Sequence, residues 1–498
     1  MSENGSAYPA LERRFARLAA LNDAIGILDW DSQTMMPAGA AEGRAAQGAT
    51  LRVLAHDMMT DPALAELLED AAAEPGLSEW QRANLREMRH GWLHATAVPA
   101  ELVEASSRAT SACEMAWRSA RAASDFPALL PYLTEVLRLQ REIGAAKAAR
   151  FGCSPYEALL DGYEPGARTA TIDALFDDLA TFLPGFLPRV LERQAALPAP
   201  LPLTGPFPVE KQRALGERLM RAVGFDFARG RLDVSLHPFC GGATDDVRLT
   251  TRYDESDFTR ALMGVLHETG HACYEQGRPR DWLGQPVSAA RGMALHESQS
   301  LIVEMQAARS RPFLEFLAPL ARDAFGGSGP AWEADNLYRL YTRVEPGFIR
   351  VDADEVTYPA HVVLRYRLEK AMIAGDLALA DLPAAWNDGM AALLGIVPPD
   401  DRRGCLQDIH WPSGGWGYFP TYTLGAIVAA QLFDAAASSV PAMPDALAKG
   451  DFAPLLGWLR PNIHAKGSLL ETGALLTEAT GRPLDAATYR HHLERRYL

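Results

Sequence analysis

Two histidines and a glutamate within five consecutive residues could hold and use a metal ion. The run His267-Glu268-Thr269-Gly270-His271 carries imidazoles at its two ends. On a helix, residues four apart lie on the same face, so both imidazoles can reach one cation. Glu268 lies at the edge of that face, where it misses the cation but reaches a water beside it. The pattern predicts metal-assisted hydrolysis of an amide bond, with Glu268 as the general base.

A catalytic zinc site usually has three protein ligands and one open position. The candidate third ligand is Glu297, in the run His296-Glu297-Ser298-Gln299. Glu304 lies one heptad further on the same helical face and is a candidate to orient one of the histidines. Cys273 points away from the histidine face and is expected in the core. The sequence therefore predicts one divalent metal per subunit, with zinc as the expected cation.

The elements that must position these residues are predicted to be helices. Ser256 can cap a helix over 256–276, and Ser288 can cap a second over 289–310. Two antiparallel helices joined by a short loop would bring Glu297 opposite the histidines. Helical spacing of apolar residues also runs through 11–28, 101–119, 126–150, 171–196, 209–223, 360–374 and 423–437. The chain is therefore predicted to be mostly α.

Strand signals are concentrated in residues 231–253. Leu232, Val234 and Leu236 alternate with polar residues, and a second alternating run follows over 247–251. Gly241-Gly242 is expected to make the turn between them, so this region predicts a small β hairpin or sheet.

A proline-rich loop divides the chain. Residues 197–208 contain five prolines and separate a helical part, 1–196, from a part that carries the metal site and the substrate-binding residues, 209–498. We expect both to form a single peptidase unit, 1–498.

Composition narrows the class of protein. Of 498 residues, 22% are charged and 48% hydrophobic, which is typical of a globular protein. The net charge of −15 argues against a nucleic-acid partner. No secretory signal is visible, and the apolar stretch 424–433 is too short to span a membrane. Five scattered cysteines suggest reduced thiols, so we expect a cytoplasmic protein with no membrane partner.

Several motifs together resemble the carboxypeptidase Taq family. The 267–271 and 296–299 runs belong to this set, and their order along the chain is the family's order. The other motifs are His237-Pro238-Phe239, Asp246-Val247-Arg248-Leu249-Thr250, Ile349-Arg350-Val351-Asp352-Ala353-Asp354, and Gly404-Cys405-Leu406-Gln407-Asp408-Ile409-His410-Trp411. The resemblance implies a mostly helical, elongated fold split by a deep cleft, akin to neurolysin and angiotensin-converting enzyme. It also implies a homodimer, zinc with cobalt able to replace it, and removal of single residues from peptides with a free C-terminus, with broad specificity.

The resemblance also suggests residues that bind substrate. A free carboxylate is bound best by a guanidinium, and Arg350 and Arg248 are the candidates. Ordinary ion pairs with Asp352 and Asp246 are the alternative for each. By analogy with the converting enzyme, His410 and Tyr422 would stabilise the oxyanion. Further substrate-binding candidates are Tyr418, Gln407 and His237.

Two other functions stay open at this point. The first is an endopeptidase or dipeptidyl-peptidase on the same scaffold, which would not need to grip a free carboxylate. The second is a non-catalytic helical protein with a structural metal, although such a site has no use for Glu268.

Overall fold

The computed structural model describes residues 6–498 as helices with one small sheet. The α-helices, α1 to α20 in chain order, span Ala7–Thr34, Ala41–Thr60, Pro62–Ala72, Glu79–Thr96, Ala100–Ala123, Phe126–Phe151, Pro155–Leu160, Thr169–Ala195, Val209–Val223, Phe258–Gln276, Met293–Leu301, Arg311–Phe325, Ala334–Tyr341, Tyr358–Ala374, Leu382–Leu394, Pro420–Ser439, Met443–Leu447, Ala453–Asn462, Thr472–Thr480 and Ala486–Tyr497. A π-helix, Ile302–Ala308, continues α11. The mostly α prediction is confirmed.

Helix α9 illustrates why the periodic segments fold as predicted. Its apolar residues Leu215, Leu219 and Val223 recur every four positions and are buried together. Gly224 ends the helix with a φ of 114°, a left-handed conformation that glycine adopts without steric cost. The resulting bounds coincide with the predicted range 209–223.

Helix α16 lies between the two largest apolar clusters of the molecule. Leu424 and Ile427 pack in the cluster formed mainly by α6, α8 and α14, whereas Val428 and Leu432 pack in the cluster of α9, α10 and α12. A helix that is apolar on all sides is buried on all sides. This helix therefore serves as the central support for the neighbouring α11. Within residues 6–498, no helix is both long and apolar enough to cross a membrane.

The sheet has three strands, β1 Gly230–Val234, β2 Cys240–Ala243 and β3 Asp246–Thr251, in the order β1-β3-β2. Strand β1 pairs in parallel with β3, and β2 pairs antiparallel with β3. The prediction of a small sheet is confirmed, but the predicted turn at Gly241-Gly242 is wrong, because both glycines lie within β2. The turn follows at Asp245, which has a φ of 59°. Alternation indicates which face of a strand is buried, not which strand is its neighbour.

The proline-rich segment contains no helix or strand between α8 and α9. It is held to the rest of the protein by Asn336, whose side chain makes hydrogen bonds of 2.7 and 2.9 Å with the backbone of Leu201. The division of the chain into two parts at this loop stays a prediction.

Candidate metal centre

The 267–271 run lies in the second half of α10. Asp257, not Ser256, caps this helix, because the Asp257 carboxylate accepts a hydrogen bond from the Thr259 amide at 2.8 Å. The predicted cap was therefore wrong by one residue. The Ser256 hydroxyl instead donates to Asp254 at 2.6 Å.

Gly270 explains how α10 and α11 come close enough to share a ligand set. A Cβ atom at this position would lie 2.3 Å from the carbonyl oxygen of Gln299 and 2.6 Å from the Cα of Ser300. The two backbones thus touch at Gly270, and no larger residue would fit there. This close packing offsets the roughly 1 kcal/mol by which a glycine destabilises the interior of a helix. Gly425 of α16 makes a similar approach, because a Cβ atom there would lie 2.8 Å from the Cβ of Glu297. Both contacts fix Glu297 opposite the histidines.

The start of α11 is capped from a distant loop, residues 161–166. The Met293 amide donates to the Tyr163 carbonyl at 2.8 Å, and the Ala294 amide donates to the Glu164 carboxylate at 2.9 Å. The Thr472 hydroxyl holds the other oxygen of Glu164 at 3.0 Å. The predicted cap, Ser288, was wrong, since its hydroxyl donates to the Gln285 carbonyl at 2.8 Å.

Two groups of side chains among the described residues could hold a metal ion. The distances between their ligand atoms show which of the two has room for a cation. In the first, the Asp161 carboxylate lies 2.6 Å from His90 Nε2 and 2.9 Å from His94 Nε2. These are hydrogen-bond distances, and the contacts fix the loop that caps α11. Ligands about 2.0–2.1 Å from a tetrahedral zinc would lie roughly 3.3 Å apart. This first group is therefore too tight for a cation.

The second group has the spacing that a cation needs. Glu297 Oε2 lies 3.4 Å from His271 Nε2 and 3.8 Å from His267 Nε2. All three ligand atoms lie within 4.8 Å of one another. Two imidazoles and one carboxylate are also a usual ligand set for a catalytic zinc. The residues present therefore fit a divalent metal.

Glu304 orients one of these histidines, as the sequence suggested. Its carboxylate lies 2.9 Å from His267 Nδ1 and accepts a hydrogen bond from Arg309 at 2.5 Å. A proton on Nδ1 leaves the lone pair of Nε2 directed towards Glu297, the side on which a metal would bind. Burial alone would lower the pKa of His267, but the charge of Glu297 and the bond to Glu304 raise it to about 10. The negative charges around the His267 imidazole therefore favour the binding of a cation beside it.

Replacing Glu304 with glutamine is expected to lower the metal affinity about 10- to 100-fold. Glutamine fills the same volume and still accepts the His267 proton, but it removes the negative charge that favours a cation. Competition with a chelating indicator measures the affinity. The Glu315→Gln variant, exposed on α12, is the control and should bind metal like the wild type. An unchanged affinity in the Glu304 variant would exclude this role.

Glu268 is buried, with 7% of its surface exposed, beside the two candidate histidine ligands. Burial raises its pKa to about 7, so it can exchange a proton near neutral pH. Burial, with the charge of Glu268 as the next cause, raises the pKa of the Cys240 thiol well above its usual range. Strand β2, which carries Cys240, packs against α10, the helix of Glu268.

His410 and two tyrosines form an aromatic group near the candidate metal ligands. His410 Nε2 lies 3.3 Å from the Tyr422 hydroxyl, and the rings of Tyr418 and Tyr422 are 5.1 Å apart. Burial raises the pKa of both tyrosines, and the charge of Glu297 adds to the increase. Burial lowers the pKa of His410 to about 4, so this imidazole is neutral near pH 7. The group offers neutral hydrogen-bond donors within electrostatic reach of Glu297.

Arg350 lies beside the candidate metal ligands, but its ion-pair partner differs from the expected one. It lines a cavity of about 290 Å³ together with His267 and Glu297. Its Nε and Nη2 donate to the Asp408 carboxylate at 3.1 and 2.8 Å. Asp352, the partner considered from the sequence, instead lies 3.3 Å from Arg260.

Of the predicted metal ligands and the predicted catalytic and substrate-binding residues, only His267, Glu297 and Arg350 line this cavity. Arg248 pairs with Asp246 at 2.5 Å, and this ion pair is the alternative considered for it from the sequence. Its guanidinium also stacks over the ring of Trp30. His237 is exposed in the loop between β1 and β2. Gln407 accepts a hydrogen bond from the Arg350 amide at 2.8 Å and donates to three backbone carbonyls.

Sequence reasoning missed two residues at this site. Tyr358 accepts a hydrogen bond from Arg350 Nη1 at 3.0 Å, and no motif or spacing indicated it. Asp408 anchors Arg350 and also accepts a hydrogen bond from Arg365 at 2.6 Å. Its position between Gln407 and His410, inside one of the motifs, was the available signal.

Comparison with known proteins decides the family. The sequence profile described as carboxypeptidase Taq (M32) metallopeptidase matches residues 10–497. The chain belongs to this family. The resemblance seen in the motifs is confirmed, and the carboxypeptidase Taq assignment makes the chain a metal-dependent carboxypeptidase, a hydrolase. It favours neither an endopeptidase nor a non-catalytic protein.

Individual members of the carboxypeptidase Taq family match over nearly their whole length. Thermostable carboxypeptidase 1 of Thermus thermophilus is 40% identical, covering 98% of this chain and 96% of the relative. Thermostable carboxypeptidase 1 of Pyrococcus furiosus is 36% identical, covering 97% of each. The structure of Trypanosoma cruzi metallocarboxypeptidase 1 has a TM-score of 0.97 at 44% identity, covering 99% of both chains.

Proposed function

We propose that this metallocarboxypeptidase holds zinc through His267, His271 and Glu297 and removes single residues from peptide C-termini. The observation that carries the proposal is the spacing of the ligand atoms. His271 Nε2 and His267 Nε2 lie 3.4 and 3.8 Å from Glu297 Oε2, and Glu268 is buried beside them. Zinc suits this ligand set, and cobalt is the expected substitute. A homodimer, a cytoplasmic location and broad specificity stay predictions.

Glu268 acts as the general base and then as the general acid. A divalent cation in the site supplies Lewis-acid activation of water and of the substrate carbonyl. Glu268 accepts a proton from the attacking water and later gives it to the leaving amine. A pKa of about 7 suits both transfers near neutral pH.

His410 and Tyr422 stabilise the charge that develops on the carbonyl oxygen. Both are neutral donors near pH 7, because burial lowers the pKa of the imidazole and raises that of the phenol. Donors that are already fixed by packing need no reorganisation during the reaction. Tyr418 packs against Tyr422 and helps to hold its ring.

Arg350 recognises the free C-terminal carboxylate. Three of its five N–H groups are bound to Asp408 and Tyr358, which leaves two for a ligand. These contacts lock the guanidinium, so little side-chain entropy is lost when a carboxylate binds. Gln407 supports Arg350 through its backbone amide. Arg248 and His237 are proposed as outer contacts of longer peptides.

A blocked dipeptide and its C-terminal amide test this assignment directly. Loss of a charged hydrogen bond costs about 1.5–3 kcal/mol, so the free acid should be cut roughly 10- to 150-fold faster, as kcat/KM, than the amide. Equal rates would indicate an endopeptidase. If neither peptide is cut while one metal per chain is bound, the metal site is structural or a relic.

A further inference from the structure

Two walls of the cavity at the candidate metal centre come from separate parts of the chain. One wall is α11 with the π-helix that continues it, and it carries the candidate ligand Glu297 and its neighbour Glu304. The other wall is the segment 350–358, which begins with Arg350. The distance between these two walls therefore determines how far the candidate metal ligands lie from the guanidinium proposed to bind the substrate carboxylate.

Arg496 of α20 connects the two walls through a single guanidinium. Its Nη1 donates to the Met305 carbonyl at 2.6 Å, and its Nη2 donates to the Gln306 carbonyl at 3.3 Å. Both carbonyls belong to the π-helix, directly after Glu304. The same Nη1 also donates to the Glu355 carboxylate at 2.9 Å, and Glu355 belongs to the second wall.

Three more side chains of α20 hold Glu355. His492 Nε2 lies 2.8 Å from the other carboxylate oxygen, and the Tyr497 hydroxyl donates to the oxygen that Arg496 contacts, at 2.9 Å. The Tyr489 hydroxyl donates to the Glu355 backbone carbonyl at 3.0 Å. Helix α20 therefore fixes the second wall at this one residue.

The short segment between Glu355 and Arg350 can transmit this restraint. The Asp354 carboxylate accepts hydrogen bonds from three backbone amides at 2.9 to 3.0 Å. The Ala353 amide donates to the Arg350 carbonyl at 3.1 Å. Because these bonds hold the turn, a displacement of Glu355 also displaces Arg350.

The ion pair between Arg496 and Glu355 is almost completely buried, with the two side chains 8% and 4% exposed. A buried ion pair is weak evidence for stability, because apolar side chains of similar volume often stabilise a protein as well or better. Its effect here is on geometry. Charges taken out of water must stay paired, so the pair favours one separation of the two walls.

We propose that Arg496 and Glu355 are positioning residues that set the distance between the metal site and Arg350, and thereby restrict cleavage to the last peptide bond. The inference rests on the proposed roles of the three metal ligands and of Arg350. Single residues are removed only when the reacting carbonyl and the terminal carboxylate are held one residue apart. A misplacement of about 1 Å can change a rate roughly 10²-fold, so a loosened wall should alter this selection.

Straight-chain dicarboxylates of increasing length measure the distance without turnover. One carboxylate can bind the cation and the other can bind Arg350, so succinate, glutarate, adipate and pimelate span different separations. Calorimetric titration of the zinc-loaded full chain gives the affinity for each acid, and the metal content is measured before and after.

The main variant is Arg496→Met/Glu355→Gln, which removes both charges together and leaves no buried charge unpaired. Arg496→Lys is a milder second variant, because it keeps a charge opposite Glu355 but has one terminal nitrogen in place of two. The matched control is Arg490→Met/Asp178→Asn. This pair joins α20 to α8 at 3.2 Å and does not line the cavity.

We expect the wild type and the control to prefer one acid over its neighbours by about tenfold, and the double variant by about threefold or less. Arg496→Lys should lie between them. A blocked tripeptide with a free C-terminus should accordingly lose only single amino acids with the wild type, and a dipeptide as well with the double variant.

An unchanged length preference in the double variant would overturn this inference alone, and so would an unchanged preference in Arg496→Lys if the double variant does not fold. Loss of bound metal in the double variant would also overturn it, because the pair would then support the ligands rather than the distance. The same is true of an equal effect in the control, which would make any loosening of α20 sufficient. If the wild type itself showed no length preference, the proposed role of Arg350 would fail as well.

Discussion

Replacing Glu268 with glutamine is expected to lower kcat about 10²- to 10⁴-fold while the bound metal stays at the wild-type level. Glutamine has nearly the same shape but cannot take a proton from water. Glu268 is not one of the three proposed ligands, so the distances among His267, His271 and Glu297 should not change. Steady-state kinetics on a blocked dipeptide, with metal quantified in the same sample, measures both effects.

The exposed Glu210 on α9 offers the matched control. The Glu210→Gln variant carries the same change of charge and should retain wild-type kcat. If the Glu268 variant lost its metal along with its activity, Glu268 would be acting as a ligand. Retention of full activity would mean that another group accepts the proton.

The second large effect is expected on stability. Asp408→Asn should lower the free energy of unfolding by about 3–5 kcal/mol, because it leaves two buried guanidiniums without a counter-charge. Arg365 is fully buried and Arg350 is 5% exposed. The same change should also raise KM, since Asp408 fixes the guanidinium proposed to bind the substrate carboxylate. Urea unfolding of the metal-loaded protein and KM on a blocked dipeptide measure the two effects.

Asp400 provides the comparison at the surface. It pairs with Arg403 at 2.8 Å, but both side chains are about one-third to one-half exposed, at 34% and 48%. Asp400→Asn should therefore change stability by at most about 1 kcal/mol. Equal effects of the two substitutions would show that burial of the Asp408 cluster has no energetic consequence.

The stabilisation by Asp408 has a defined pH range. Its neighbours Arg365 and Arg350 hold the pKa of this carboxyl well below its usual range despite burial. A carboxyl whose pKa is lowered by folding stabilises the folded state fully at a pH above its pKa in the unfolded chain, about 3.9. This stabilisation is lost as the pH falls towards the pKa in the folded state. The stability difference between wild type and Asp408→Asn should thus be constant near neutral pH and shrink only in acid.

Local periodicity predicted helices well, and their ends less well. The bounds of α9 follow from its own apolar residues and Gly224. The start of α11 follows from Glu164, which is 130 residues away in sequence. A cap provided by a distant loop leaves no signal beside the helix, which is why Ser288 was the only visible candidate.

The same distinction applies to the ion pairs. Arg248 and Asp246 lie two residues apart on one strand, so their pairing could be predicted. Arg350 and Asp408 are 58 residues apart, and they meet because the fold buries both in one place. A buried charge needs its partner more than an exposed one does. The pairs that matter most at this site are therefore those that sequence proximity does not identify.

The cap of α11 has a consequence for the timing of synthesis. Glu164 leaves the ribosome before the proposed ligands His267, His271 and Glu297, whereas Thr472, which holds Glu164, leaves long after them. Gly425, which packs on Glu297, is also made later. Segments of a growing chain fold as they emerge. A nascent chain can thus expose all three proposed ligands well before it can hold them in place, so we expect activity to arise only near the end of translation.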